Sequence, residues 1–373
     1  MSDFQEYWSA LQLALVGTNP YSALAMKEFQ FTHFGSQIPI MMWNPPWLLL
    51  LLFPILILPA ATSLIVWQTC SVFCFIAASF YWLTTTNSGE ASGHKKQFLI
   101  IAASLICFAP AWSCLQRGQI SLFLLLGITL FCAAFKRNNT AGVFMGVALS
   151  SLKPHLFGLF FIPFAILFYR QARWRQLISV ALLFSVLLVV TEICFSGSIL
   201  SWIEANSRTT RELPELPLVQ EWAGASFWGG IRILFNIHNG YDLSLFIYAL
   251  LAIGLAFISN RCLNKFTYSQ SLPWLIAFSV YFSPFGWYFD QVLFLPLYIR
   301  GINLCLNSVR PMWLEFVALV GLQLVSIWLL LFVIDFHHQL SWYGLIFLGL
   351  MLYIERANLR HHPIKFSNNS NSR

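Results

Sequence analysis

The chain has 373 residues, of which 58% are hydrophobic and only 9% are charged. Soluble globular domains carry about 25% charged residues, so the composition excludes an ordinary soluble fold and indicates an integral membrane protein in contact with the lipid bilayer. The net charge of +7 does not indicate a partner nucleic acid, because the Lys and Arg residues stand in short clusters between apolar runs and act as topology signals.

The first stretch, residues 1–47, is polar, aromatic and rich in turns, and we call it the cap. It contains Asp3 and Glu6, a Gly-Thr-Asn-Pro-Tyr turn at 17–21, and the sequence Trp-Asn-Pro-Pro-Trp at 43–47. The cap is too polar to be a membrane span, so we predict a water-facing loop with short helices on a membrane-embedded bundle. A carboxylate so close to the start of a chain is usually only a solvated group.

Residues 48–358 alternate between apolar runs and short breaks, which is typical of a multi-pass bundle. A bilayer crossing needs about 20 apolar residues and Pro breaks shorten some runs, so the pattern predicts about eleven membrane-spanning helices. Their predicted limits are 59–83, 98–113, 119–135, 140–153, 155–169, 176–195, 241–260, 272–284, 286–299, 312–334 and 341–355. The run 47–58 is too short to cross and predicts an interfacial or re-entrant helix. Residues 359–373 are polar and predict a disordered cytoplasmic tail.

Clusters of Lys and Arg are typical of cytoplasmic loops, and here they recur in every second loop between the predicted spans. The clusters lie at 94–96, 136–137, 170–175, 261–265, 300–310 and 356–360. The other segments are therefore predicted to face outward, namely the cap, 109–119, 153–154, the long loop 196–241, 283–286 and 335–339. No span precedes the cap to carry it across, so we expect a further apolar span upstream of residue 1. The alternative is that the cap inserts without one.

The outward breaks concentrate the polar residues that the spans lack. Arg117 and Gln119 stand between two apolar runs. The guanidinium can bind a phosphate or simply reach the outer interface, and the amide can bind a sugar or the backbone. Lys153 precedes Pro154, which ends a helix. A lysine on the outward side runs against the usual charge bias, which favours a phosphate contact over anchoring.

The segment 283–291 reads Ser-Pro-Phe-Gly-Trp-Tyr-Phe-Asp-Gln and interrupts the apolar pattern. Asp290 is an ionisable residue inside a predicted span, where such residues are functional or paired. It either binds substrate or forms a structural ion pair with one of the two cations named above or with another buried cation. Trp287 and Tyr288 either stack on a sugar face or anchor the chain at the membrane interface.

Several familiar catalytic motifs are absent from the sequence. There is no P-loop, GxSxG, HExxH or DxD motif, and the paired His residues lack partners at metal-ligand spacing. The eight Cys residues form no CxxC pair and lie mostly in or beside apolar runs, where they fit as small packing residues. We therefore expect neither a metal site nor a cofactor.

Taken together, the motifs resemble glycosyltransferase family 87. The cap resembles the first outward loop of that family through Asp3, Tyr7, the turn at 17–21 and Asn44-Pro45-Pro46 before a Pro-broken apolar helix. Later motifs similar to the family's are Gly118-Gln119 before a span, Leu152-Lys153-Pro154 after a Gly-rich span, and Ser283-Pro284 with Trp287, Tyr288 and Asp290. The similarity follows the same order through most of the chain, from about residue 3 to about residue 300.

This resemblance implies a GT-C-type all-α bundle with the active site on outward-facing loops. It implies transfer of a hexose, expected to be mannose, from a polyprenyl-phosphate donor to a hydroxyl of a glycan or glycolipid acceptor, with inversion at the anomeric carbon. The family's carboxylate base corresponds to Asp3. The expected substrate-binding residues are Arg117, Gln119, Lys153, Trp287, Tyr288 and Asp290. We expect the protein in the plasma membrane of a bacterium, with an extracytoplasmic active site.

Two other functions are compatible with the same residues. A transporter or flippase for a lipid-linked or amphipathic solute would also have broken helices with charges near the membrane midplane. The sequence shows no inverted repeat and its longest loop is on one side, which favours the glycosyltransferase. An inactive scaffold with this fold is the third alternative.

Overall fold

The computed structural model describes residues 3–86, 94–207, 213, 224–235, 241–262, 268–308, 312–332 and 341–361. These residues form eighteen α-helices, one 3₁₀ helix and no strand. Four helical segments among them are long and apolar enough to cross a membrane. The predicted class, an all-α membrane protein, is confirmed.

Most helices are separated by a few residues, but longer intervals lie at 35–46 and 208–226. The first four are α1 (Phe4–Leu15), α2 (Ala23–Phe34), α3 (Trp47–Leu51) and α4 (Phe53–Leu56). The next seven are α5 (Ala60–Thr86), α6 (His94–Ile106), α7 (Ala109–Arg117), α8 (Ser121–Lys136), α9 (Thr140–Ser150), α10 (Pro154–Arg170) and α11 (Trp174–Cys194). The remainder are α12 (Ser198–Ser207), α13 (Phe227–Leu234), α14 (Tyr241–Cys262), α15 (Tyr268–Tyr281), the 3₁₀ helix (Tyr288–Phe294), α16 (Leu295–Asn307), α17 (Trp313–Phe332) and α18 (Ser341–His361).

A helix occupies each predicted span position, but few of these helices could cross a bilayer alone. Those that could are α5, α11, the 3₁₀ helix continued by α16, and α17, while α6 and α7 form a fifth candidate as a pair bent by 44°. By contrast, α9 has 11 residues and rises only about 16 Å, against a hydrocarbon core of about 30 Å. The predicted number of about eleven membrane crossings therefore stays a prediction.

The cap packs onto the bundle more closely than a water-facing loop would. In α1, every residue from Phe4 to Leu11 is buried, so this part of the helix is enclosed on all sides. The ring of Tyr7 stacks on Trp67 of α5 with 5.2 Å between the centroids. Among the described residues of the cap, exposed ones appear only from Leu15 onward. Although the cap is polar in composition, its helix α1 is therefore part of the buried core.

Helices α8 and α9 form a tightly packed pair that leads to the first important break. A Cβ atom on Gly146 would lie 2.5 Å from the backbone nitrogen of Phe131, so only glycine permits this approach. Small residues at close helix contacts are typical of membrane bundles. Helix α9 ends at Ser150. Lys153 immediately precedes α10, and Pro154 opens this helix at a position where its missing N–H costs nothing.

A second break lies between α15 and the 3₁₀ helix. Helix α15 ends at Tyr281, shortly before Pro284, and the chain turns through 283–287 before it becomes helical again. The third break is at Gly118, whose φ of +67° ends α7 in a left-handed conformation. These breaks place polar side chains at the same end of the bundle as the start of α1.

Some predicted segments lie outside the described residues. In the long loop 196–241, α12 and α13 are described, whereas 208–212, 214–223 and 236–240 are not. The predicted outward segment 335–339 is also outside. Helix α18 continues to His361, so it includes the first residues of the predicted tail, and 362–373 lie outside the described part.

Candidate active site

One cavity of about 130 Å³ lies where the cap, the helix breaks and α12 meet. Five segments that were predicted to face outward contribute to its lining: the cap, 109–119, 153–154, 196–241 and 283–286. They are distant in sequence, so the fold gathers them at one end of the bundle. This common location agrees with the alternation of basic and non-basic loops.

Lys153 and Asp290 form a buried ion pair on the wall of this cavity. The Nζ atom of Lys153 lies 2.8 Å from Oδ1 of Asp290, and both side chains are less than a tenth exposed. Ser121 Oγ donates a hydrogen bond to the same oxygen at 2.5 Å, and the Trp287 N–H donates to Oδ2 at 3.0 Å. Buried charges persist when they are paired and hydrogen-bonded in this way. For Asp290, the structure thus shows the ion pair that was one of its two predicted roles.

Gln119 connects this ion pair to the cap. Its Oε1 accepts hydrogen bonds from Tyr7 Oη at 3.1 Å and from Lys153 Nζ at 3.2 Å. Its Nε2 donates to Oδ2 of Asp3. The two donors at Oε1 fix the orientation of the amide, because an amide nitrogen in that position could not accept from them. A continuous network therefore joins Asp3, Gln119, Lys153 and Asp290.

Asp3 is the residue that precedes α1 and is partly buried. Burial raises the pKa of its carboxyl group, while the hydrogen bond from Gln119 and the charges of Arg117 and Lys153 lower it by less. Asp3 reaches the cavity through Gln119 and is not part of its lining. Arg117 ends α7 and also lies outside the lining, but it is near enough for its charge to act on Asp3.

A carboxyl group that the sequence analysis did not select, that of Glu6, does line the cavity. It is 5% exposed, and its Oε1 accepts from Asn44 Nδ2 at 3.0 Å and from the Trp43 N–H at 3.4 Å. Burial and then the charge of Asp3 raise the pKa of Glu6 to about 8. In the sequence, the signal that could have identified Glu6 is its spacing of three residues from Asp3. This spacing places both carboxyl groups on one side of a helix.

The two predicted aromatic residues point in different directions. Trp287 lines the cavity. Tyr288 is fully buried and packs edge-on against Tyr343 of α18, with centroids 5.0 Å apart, so we leave it out of the proposed substrate site. Two further tryptophans line the cavity, and Trp202 Nε1 donates to the backbone oxygen of Trp43 at 3.0 Å. Trp202 lies in α12, for which the sequence offered only the length of the loop as a signal.

The raised pKa of Glu6 predicts a pH-dependent stability. Between the ordinary value of 4.5 and about 8, the folded protein keeps a proton that the unfolded chain has released, so stability falls as the pH rises through this window. Since each pKa unit corresponds to about 1.4 kcal/mol, Glu6→Gln should gain a few kcal/mol over the wild type by pH 8 and nothing near pH 4.5. Melting curves in detergent across this range would measure the difference.

The matched control for this experiment is Glu28→Gln, since Glu28 is an exposed carboxylate in α2 of the same cap. Its melting temperature should follow that of the wild type at every pH. Parallel curves for the wild type and Glu6→Gln would show that Glu6 ionises normally in the folded protein.

The comparison with protein families gives one match. The model described as Glycosyltransferase family 87 matches residues 43–296, more than half of the chain. This region includes Gln119, Lys153 and Asp290 and begins after Asp3 and Glu6. Comparisons with curated proteins and with solved structures find no match. The family match favours the glycosyltransferase over the transporter alternative. The chain belongs to glycosyltransferase family 87 and is a membrane glycosyltransferase.

Proposed function

We propose that this protein transfers a hexose, with mannose as the sugar, from a polyprenyl-phosphate donor to a hydroxyl group of a glycan or glycolipid. The reaction takes place on the extracytoplasmic side of a bacterial plasma membrane. One observation carries this proposal: Gln119, on the wall of the cavity, is hydrogen-bonded both to the buried Lys153 and to the Asp3 carboxylate behind it. A cation for a leaving phosphate and a base for an attacking hydroxyl are the two groups that such a transfer requires.

The surroundings of the cavity support a lipid-linked donor. Its basic group, Lys153, stands at a break between two apolar helices, α9 and α10. Irregular backbone at membrane depth is tolerated where it lines a cavity, so a donor dissolved in the bilayer can bring its phosphate to this point. The basic loop clusters lie in the other set of loops, which supports an extracytoplasmic location of the cavity.

In the proposed reaction, the acceptor hydroxyl oxygen attacks the anomeric carbon of the donor. Its proton moves to Asp3, and the bond between the anomeric carbon and the phosphate oxygen breaks, with both electrons leaving on the phosphate. Lys153 stabilises the growing negative charge, and the charge of Arg117 adds to it at longer range. A single displacement of this kind inverts the anomeric configuration.

The position of Gln119 sets a requirement for this mechanism. Its amide binds Asp3 on one side and Lys153 on the other, so it separates the base from the cavity. We propose that Gln119 turns aside when the acceptor enters, because hydrogen bonds in an empty active site are often rearranged in the substrate complex.

The proposed function can be tested with purified wild-type protein in proteoliposomes. The donor is polyprenyl-phosphate mannose, the comparison donor is a nucleotide-linked mannose, and the acceptor is octyl α-D-mannopyranoside. We expect mannose on the acceptor, in the inverted configuration, from the lipid-linked donor alone. Transfer from the nucleotide sugar alone would refute the donor class. Movement of the lipid-linked donor across the bilayer without any transfer would instead support a transporter.

A further inference from the structure

The cavity has two chemically different sets of groups on its walls. One set surrounds the positive charge of Lys153 and is used in the proposed reaction. The other set lies between the cap and α12 and consists of the hydrogen-bonding side chains of Glu6 and Asn206 with the rings of Trp43 and Trp202. The proposed chemical step uses none of these four residues.

The first member of this second set, Glu6, is held so that one of its oxygens remains available. Oε1 already accepts from the Asn44 side chain and from the Trp43 N–H. Within the described part of the chain, Oε2 has no hydrogen-bond partner. Since Glu6 lines the cavity, the group best placed to meet this oxygen is a hydroxyl of a bound ligand.

The other members of the set are fixed by contacts between α12 and the cap. Trp202 Nε1 and Asn206 Nδ2 both donate to the carbonyl oxygen of Trp43, at 3.0 and 3.5 Å. Asn206 Nδ2 also donates to the Trp202 carbonyl at 2.9 Å. With Nδ2 engaged twice, the amide is oriented, and its Oδ1 has no hydrogen-bond partner among the residues that the structure describes. Asn206 therefore offers an acceptor to the cavity beside Oε2 of Glu6.

We propose that Glu6, Asn206 and the rings of Trp43 and Trp202 form a subsite for a pyranose ring of the substrate. A pyranose presents hydroxyl groups at its edge and C–H groups on its faces, so polar side chains beside aromatic rings match both surfaces. Glu6 and Asn206 bind ring hydroxyls, and the tryptophans cover a face. The proposal rests on the proposed function only in the statement that this sugar belongs to the donor or the acceptor.

A purely structural role would explain only part of the environment of Glu6. It accounts for Oε1, which accepts from Asn44 and Trp43, but not for Oε2, which has no partner within the described part of the chain. Burial, and then the charge of Asp3, raise the pKa of this carboxyl group to about 8. A carboxyl group with such a pKa favours the protonated form at neutral pH, in which Oε2 can donate a hydrogen bond to a sugar oxygen.

The test is a direct binding measurement in detergent at neutral pH, with quenching of tryptophan fluorescence as the readout. The probe is methyl α-D-mannopyranoside, and polyprenyl phosphate without a sugar is measured in parallel. Glu6→Ala should weaken binding of the hexoside by about tenfold, the value of one hydrogen bond, and should leave binding of polyprenyl phosphate within twofold, roughly, of the wild type. Glu6→Gln should bind the hexoside as the wild type does, because its amide also donates a hydrogen bond.

The matched control is Glu28→Ala, which removes an exposed carboxylate from the same cap and should leave both affinities unchanged. Equal hexoside affinities for Glu6→Ala and the wild type would overturn the subsite, and so would a wild type that binds no hexoside. If Glu6→Ala does not fold, Asn206→Ala decides the question, since an unchanged hexoside affinity in that variant also overturns the proposal.

Failure of the subsite and failure of the proposed function give different results. If the wild type binds the hexoside through Glu6 but transfers no sugar, the subsite stands and the transferase reaction is refuted. If Glu6→Ala transfers the sugar with unchanged Michaelis constants for both the acceptor and the donor, the subsite is refuted and the transferase reaction stands. If the Michaelis constant of Glu6→Ala rises for only one of the two substrates, that substrate supplies the pyranose ring bound in the subsite.

Discussion

Asp3→Asn is expected to reduce hexose transfer by about 100- to 10,000-fold, which is the usual contribution of a positioned general base. Asparagine has the same shape, and its side-chain oxygen can still accept the hydrogen bond that Gln119 donates to Asp3. The fold and the cavity should therefore persist while the proton acceptor is lost. The measurement is the turnover number with polyprenyl-phosphate mannose as the donor.

Binding of polyprenyl phosphate separates this effect from a general loss of the site. In Asp3→Asn the affinity for polyprenyl phosphate should stay close to that of the wild type, because Lys153 is unchanged. The matched control is Glu28→Gln, with an exposed carboxylate in the cap, and it should retain full turnover. Wild-type turnover in Asp3→Asn would end the assignment of Asp3 as the base.

Lys153→Met is expected to have the largest effect on stability. It leaves Asp290, which is fully buried, without its cation, and removal of one partner from a buried ion pair costs about 3–5 kcal/mol. The variant should also lose affinity for polyprenyl phosphate, because the cation proposed to hold the phosphate is gone. The melting temperature in detergent and the binding of polyprenyl phosphate measure the two effects separately.

A double variant distinguishes the structural role of Lys153 from its role at the phosphate. Lys153→Met with Asp290→Asn removes both charges, so it should regain much of the stability, since a neutral pair has no uncompensated buried charge. It should regain neither phosphate binding nor transfer. Recovery of transfer together with stability would show that Lys153 acts only as the partner of Asp290. Lys136→Met, at the exposed end of α8, is the control and should behave as the wild type.

Sequence reasoning reached the location of the site through breaks and charges. An isolated lysine and an isolated aspartate in apolar surroundings had to be paired or functional, and the ion pair between Lys153 and Asp290 follows that rule. The positive-inside pattern placed the segments of Asp3, Gln119 and Lys153 on one face. The structure joins these residues with Asp290, which follows the outward break 283–286, in one network.

Other parts of the site depend on tertiary packing that no local pattern shows. Glu6 could not be predicted as a site residue, because the polar composition of the cap indicated a solvated segment. In the structure α1 is buried. Trp202 and Asn206 belong to a helix inside a long loop, and only its docking on the cap brings them to the cavity. Trp287 and Tyr288 are adjacent, so their directions depend on how the 3₁₀ helix is rotated, which apolar periodicity does not determine.

The amide of Gln119 has a consequence for the timing of the reaction. Its two ends bind Asp3 and Lys153, so the rotation that frees Asp3 for the acceptor also removes a hydrogen bond from the Lys153 ammonium group. That group then has a free donor direction before the departing oxygen becomes negative. One neutral side chain would thus couple entry of the nucleophile to preparation of the cation for the leaving group.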